Sequence, residues 1–384
     1  MEFNKHLRGV PYFRLSGYYF LFFVTVGIYM PYWSLYLRSI NFNAEQIGIL
    51  SAIVVGTKIF STYLWGWVVD HTGQRMRVIK FASLFSALIF IAVLFVKDFW
   101  ALAFIMFLFA IFWSASLPQI EAATLSYLGE LSHAYTIIRL WGSVGFIMIV
   151  WGLGIVFESL SISYVPLILL VSMALVWLLT LSIPDTPPEP HDDSHESLKE
   201  ILSKPRVIAL LLSCFLMLAS HGPYYTFYSI YLEDHGYSSS FIGQMWALGV
   251  VAEVVLFLFM HRLITVFGLR KLLLLSLFLA SVRWLLIAFF VDNLLLLCLA
   301  QLLHAATFGI CHAVAIQYIH KYFRGKLQGR GQGLYSSTSF GAGFAIGSLL
   351  TGYGWETLGA TTCFTIASIL AFVAMIIAFI WVKD

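Results

Sequence analysis

Along this chain, long apolar runs alternate with short breaks marked by charge, proline or glycine. The runs lie near residues 12–37, 45–69, 78–96, 99–122, 137–157, 162–183, 206–232, 240–260, 270–290, 293–318, 331–353 and 358–381. Each approaches the roughly 20 residues that a helix needs to cross a bilayer, so the pattern predicts twelve membrane-spanning helices and an all-α protein. The most polar stretch runs from Pro184 to Lys204 and contains PDTPPEPHDDSHESLKE. Its prolines and clustered acids predict a solvated linker. The expected organisation is a six-helix bundle over 1–183, a linker over 184–205 and a second six-helix bundle over 206–384.

Composition agrees. The chain has 384 residues, of which 60% are hydrophobic and 11% charged. A soluble domain carries about 25% charged residues, so this chain cannot cover itself against water and belongs in a bilayer. Twelve spans use nearly the whole length and leave no sizeable extramembrane domain. The four cysteines, Cys214, Cys298, Cys311 and Cys363, sit in apolar runs without CxxC spacing and read as small buried hydrophobes. No small-residue cleavage site follows the first run, so no removed signal peptide is expected.

Charge orients the helices. With both termini inside, the 22 Lys and Arg residues divide unevenly. Lys5, Arg8, Arg14, Arg75, Arg77, Lys80, Lys199, Lys204, Arg206, Arg262, Arg270, Lys271, Lys321, Arg324, Lys326, Arg330 and Lys383 fall on the cytoplasmic side. Only Arg38 and Lys97 fall on the other, and Lys58, Arg139 and Arg283 lie within spans. Positively charged loops stay in the cytoplasm, so a multi-pass protein with both termini cytoplasmic is expected.

The halves also repeat. Tyr32-Trp33-Ser34-Leu35-Tyr36-Leu37 returns as Phe227-Tyr228-Ser229-Ile230-Tyr231-Leu232, Ile47-Gly48 as Ile242-Gly243, and Gly73-Gln74-Arg75 as Gly268-Leu269-Arg270. All three matches share one offset. Parallel repeats of this kind place a substrate cavity between the halves, near the membrane midplane.

Ionisable groups inside spans are costly and mark function. Counted from the nearest span boundary, Lys58, His221, Glu253, Arg283 and His304 fall near mid-depth, with Glu121 and Arg139 toward the cytoplasmic ends of their spans. One shared aqueous cavity would explain them. A static Glu253–Arg283 ion pair, a snorkelling Lys58, or His221 and His312 as satisfied core residues would be the structural alternatives. The Gly-rich eleventh span, Gly341 to Gly352, carries the small-residue spacing of close helix packing. No G-x-S-x-G, H-E-x-x-H or phosphate-loop sequence is present, so an enzyme is not expected. Nor is a metal, a cofactor or a nucleic-acid partner.

The loop Gly66-Trp-Val-Val-Asp70-His-Thr-Gly73-Gln-Arg75 resembles the G-x-x-x-D-x-x-G-x-R loop of the major facilitator superfamily (MFS). The resemblance implies the MFS fold, two pseudo-symmetric six-helix bundles, with Asp70, Gly73 and Arg75 as a gating element. The second copy has Thr265 where Asp70 would repeat. Gly27-Ile-Tyr29-Met-Pro31-Tyr32-Trp33 is similar to the opening helix of the lactose permease group. Glu121-Ala122 and Arg139-Leu-Trp141-Gly142-Ser143-Val144-Gly145-Phe146 have the spacing of that group's sugar-holding pair, which implies that Glu121 and Arg139 line the cavity. Glu253, Arg283 and His304 match its midplane carboxylate, arginine and histidine.

The departures redirect the expectation. Phe146 replaces the group's sugar-stacking tryptophan, Thr307 its proton-carrying glutamate and Gln301 its lysine. The Arg139-Leu-Trp141-Gly142-Ser143 string resembles the phenylpropionate permease branch instead, whose second span carries a basic residue as this one carries Lys58. The resemblance therefore implies proton-coupled uptake of a small aromatic carboxylate in a bacterial inner membrane, by a monomer whose partners are substrate, protons and lipid. Lys58, Glu121, Arg139, Trp141, Phe146 and His221 would contact substrate. Glu253 would carry the proton, tuned by Arg283 and His304. A proton-coupled sugar or nucleoside symporter is the alternative, suggested by the retained Glu121 and Arg139.

Overall fold

The computed structural model describes residues 10–185, 198–323 and 327–383. Lys5, Arg8, Arg324, Lys326 and most of the acidic linker lie outside the described residues. Among those described there is no strand, and eleven helices are long and apolar enough to cross a membrane. They are Tyr12–Ser39, Ala44–Thr72, Arg75–Leu94, Phe99–Ser132, Tyr135–Val156, Ile162–Ser182, Pro205–Asp234, Ser239–Phe267, Leu269–Phe289, Leu294–Tyr322 and Ala360–Trp381. The remaining span, eleventh in chain order, is built from Leu327–Tyr335, Ser336–Gly343 and Phe344–Leu358. Arg330 and its many glycines and serines lower its hydropathy. The twelve-helix layout follows.

Local signals set the ends. Asn43 accepts from the Gln46 amide in a capping box that starts the second span. Asp98, Ser238 and Asn293 cap the fourth, eighth and tenth in the same sense, each accepting from the amide three residues on. Gly73 ends the second span with φ +65°, the left-handed conformation that glycine adopts at no steric cost.

Four spans that read as unbroken runs are irregular. The second breaks at Thr57, between Ala44–Gly56 and Lys58–Thr72. The seventh breaks at His221, between Pro205–Ser220 and Gly222–Asp234. The tenth widens into a π-turn over Ala305–Ile310, and the eleventh over Ser336–Gly343. Lys58, His221 and His304 each sit at or next to such a break. Hydrophobicity cannot reveal these breaks, because every residue flanking them is compatible with an apolar helix.

The halves meet through the first and seventh spans, the second and eleventh, and the fifth and eighth. Their ties lie at the end away from the chain termini. Arg38 reaches Glu233 and Asp234, and Glu356 Oε1 accepts from the Ala44 amide at 2.9 Å. Gly48 packs on the backbone of Gly352, while Gly243 packs on the Val150 carbonyl. Gly48 and Gly243 are repeat-related, so one close helix crossing is used twice. At the opposite end Asp70, His71, Thr72 and Gly73 are exposed.

Candidate functional site

The fifth span faces the first and fourth through Arg139. Arg139 Nε lies 3.9 Å from Glu121 Oε1, and its guanidinium sits 4.0 Å from the centre of the Phe23 ring. Gly142, one turn later, leaves room for the guanidinium to fold back along the helix. Both partners stay partly exposed, with side-chain exposures of 29% and 36%. With the far end tied shut, this places the pair in a cleft open toward the termini. Arg139 also lies within electrostatic reach of Glu253 and His312 on the other half.

On that other half Glu253 Oε2 lies 3.8 Å from His304 Nε2, and its stem packs against Gly309 in the π-turn. The His304 ring stacks on Phe308 at 5.4 Å, and Phe308 on His312 at 6.3 Å. His312 Nδ1 is 3.0 Å from the Tyr335 hydroxyl. The static Glu253–Arg283 pair allowed by the sequence is not formed. Arg283 turns to the Ala300 carbonyl at 2.9 Å and to the Tyr224 ring at 4.2 Å.

Lys58 opens the second segment of the second span. Thr57 ties back to Val54 at 2.8 Å, and Ser61 Oγ donates to the Thr57 carbonyl at 2.7 Å. No acidic side chain lies within ion-pair distance of Lys58 among the described residues. His221 is wholly buried, its Nδ1 on the Met217 carbonyl at 2.8 Å and its ring edge-on to Trp284 at 4.8 Å. Phe146 is buried against the first span beside Gly27.

Trp141 departs from expectation. It is 43% exposed and donates to the Tyr12 hydroxyl at 3.0 Å. Two residues turn a helix by about 200°, so Trp141 points away from the face that carries Arg139, Gly142 and Phe146. Sequence reasoning also passed over two features. Tyr224, pooled there with other aromatics, is the hub on which Arg283 and Gln301 converge. Arg38, noted only as an exception to the charge asymmetry, ties the halves together.

Twelve helices in two similar halves, with ionisable residues buried between and within them, define a membrane transporter. The chain belongs to the MFS_1 like family, whose match spans residues 12–366. It is 30% identical over 350 residues to the "Probable 3-phenylpropionic acid transporter" of Escherichia coli, covering 89% of this chain and 90% of that protein. It is 24% identical over 359 residues to the "Putative nucleoside transporter YegT" of Escherichia coli, covering 88% and 83%. The crystal structure of a mutant of nucleoside transporter NupG superposes with a TM-score of 0.86 at 17% identity, covering 97% of this chain and all of that one.

Proposed function

We propose that this transporter takes up a small aromatic carboxylate together with a proton, by alternating access of two six-helix halves divided at residues 184–205. The carrying observation is Lys58, a cation at mid-depth in the second span with no acidic partner among the described residues. An unpaired ammonium in a membrane interior is costly, and a substrate carboxylate would supply its counter-charge. The E. coli relative named for 3-phenylpropionic acid supports an aromatic acid.

In this reading Glu121 and Arg139 line the cleft from the N-terminal half, with Phe146 and His221 behind it. Glu253 carries the proton beside His304. The Asp70, Gly73 and Arg75 loop acts in gating at the cytoplasmic end, and the protein works as a monomer in a bacterial inner membrane. The 17-to-2 distribution of Lys and Arg supports that orientation.

Nucleoside symport is the second reading, favoured by the retained Glu121–Arg139 pair and by the likeness to nucleoside transporters. Uptake into proteoliposomes under an imposed pH gradient separates the two. Lys58→Gln should cut uptake of 3-phenylpropionate while sparing that of any neutral nucleoside. Native protein that takes up nucleosides but no aromatic acid would overturn the carboxylate reading.

A further inference from the structure

The C-terminal half holds a positive charge that its surroundings leave unbalanced. Arg283 in the ninth span is wholly buried. Its Nε donates to the Ala300 carbonyl at 2.9 Å, and Nη1 reaches Thr307 Oγ1 at 3.5 Å. Its guanidinium carbon lies 4.2 Å from the Tyr224 ring centre and 4.6 Å from that of Trp284. Among the described residues no carboxylate pairs with it, Glu253 being turned to His304.

Three hydrogen-bond donors around it lack partners: Arg283 Nη2, Gln301 Nε2 and Tyr228 Oη. All three side chains are completely buried. They form one cluster around Tyr224. The Tyr224 hydroxyl donates to Gln301 Oε1 at 3.0 Å, its ring lies 4.8 Å from that of Tyr228, and the guanidinium lies over its face.

Magnitudes indicate what the cluster lacks. Each unmade buried hydrogen bond costs about 1–3 kcal/mol, and a buried unpaired ion costs several more. A desolvated cation–π contact returns about 2 kcal/mol, so two rings do not offset the deficit. A compact acceptor bearing negative charge would satisfy the donors and the guanidinium together, whereas a further apolar contact would satisfy neither.

We propose that Arg283, Gln301 and Tyr228 form a binding site for one compact monoanion. The three residues come from the ninth, tenth and seventh spans, so the site lies within the C-terminal half and is separate from Lys58. The chemistry required is that of a halide or a carboxylate head. Two sources could provide it, chloride from solution or the transported acid. The proposal does not depend on Lys58 binding substrate.

The test is thermal unfolding of the purified protein in gluconate, titrated separately with chloride, bromide and 3-phenylpropionate. At least one should raise the midpoint by a few degrees in a saturable way, as a ligand of the folded state does. Gln301→Leu should melt cooperatively yet lose that response, whereas Lys58→Gln should keep it. A chloride response assigns a resident inorganic ion, and a response to the acid alone assigns its head group; either supports the site. Anomalous scattering from bromide beside Arg283 Nη2 would support it without any variant. Unfolding insensitive to all three anions, or a response that survives in Gln301→Leu, overturns the proposal.

Discussion

Arg38 and Glu233 occupy equivalent positions of the two sequence repeats, since 233 − 38 equals the offset that relates Gly48 to Gly243, and they meet as an ion pair across the halves. Residues related by a pseudo-twofold axis touch only where they lie close to that axis, and the far ends of the first and seventh spans do so. Asp234 adds a second carboxylate to the same arginine. The contact therefore fastens the end that must open if transport alternates. Arg38→Gln should shift the resting population toward the state open at that end. Exposed ion pairs contribute about 0.2–1 kcal/mol each, so a shift of up to about fivefold is expected per pair, shrinking at high salt. Labelling of a cysteine introduced beside Tyr36 should accelerate accordingly. Unchanged labelling at low salt would show that the pair does not hold the end closed.

Two glycines of the fifth span make opposite predictions. A Cβ on Gly142 would come within 2.7 Å of the Phe23 ring and 2.9 Å of Arg139 Nη1, while one on Gly152 would meet nothing within 4 Å. Glycine inside a helix costs about 0.5–1 kcal/mol relative to alanine. Gly152→Ala should therefore stabilise the protein slightly and leave uptake alone. Gly142→Ala should instead push Arg139 away from Glu121 and reduce uptake, and Gly142→Val should reduce it further, with membrane abundance maintained. Equal uptake by Gly142→Val and native protein would remove Arg139 from the functional cleft.

The contrast between Arg38 and Lys58 shows what the sequence could and could not disclose. Span count, fold and repeat were legible because they depend on runs and offsets that one chain displays. Lys58, Glu253 and His304 stood out because charge in an apolar run is rare. Pairing was not legible. Glu253 chooses between Arg283 and His304 through the π-turn at Ala305–Ile310, and no periodicity marks such a turn in advance. The Arg38 contact was hidden for another reason. Its partners lie in a loop-proximal stretch that a charge census counts without regard to which residues the two repeats bring together.

Trp141 lies on the outer face of the fifth span, held to Tyr12, so Trp141→Phe should keep uptake within about twofold of native, the scale of a typical surface substitution. Phe146→Ala, on the buried face behind the cleft, should instead lower uptake strongly. Steady-state uptake of one labelled acid measures both. A severe loss in Trp141→Phe would require Tyr12 and the start of the first span to take part in transport.

Glu253 offers the sharpest test of coupling. It is the carboxylate that the C-terminal half presents to His304, at 3.8 Å, and it lies within reach of Arg139 across the cleft. A proton carrier must bind its proton with the cleft open to one side and release it with the cleft open to the other, as its surroundings change. Glu253→Gln retains shape and hydrogen bonding to His304 but cannot titrate. A carrier locked in this way can still bring loaded substrate across, yet it cannot harness a pH gradient. In proteoliposomes Glu253→Gln should catalyse exchange of internal for external substrate at rates near native, and should fail to accumulate substrate above the external concentration at any imposed gradient. A Gln variant that still concentrates substrate under a proton gradient would move the coupling proton to another residue, with Glu121 the next carboxylate to test.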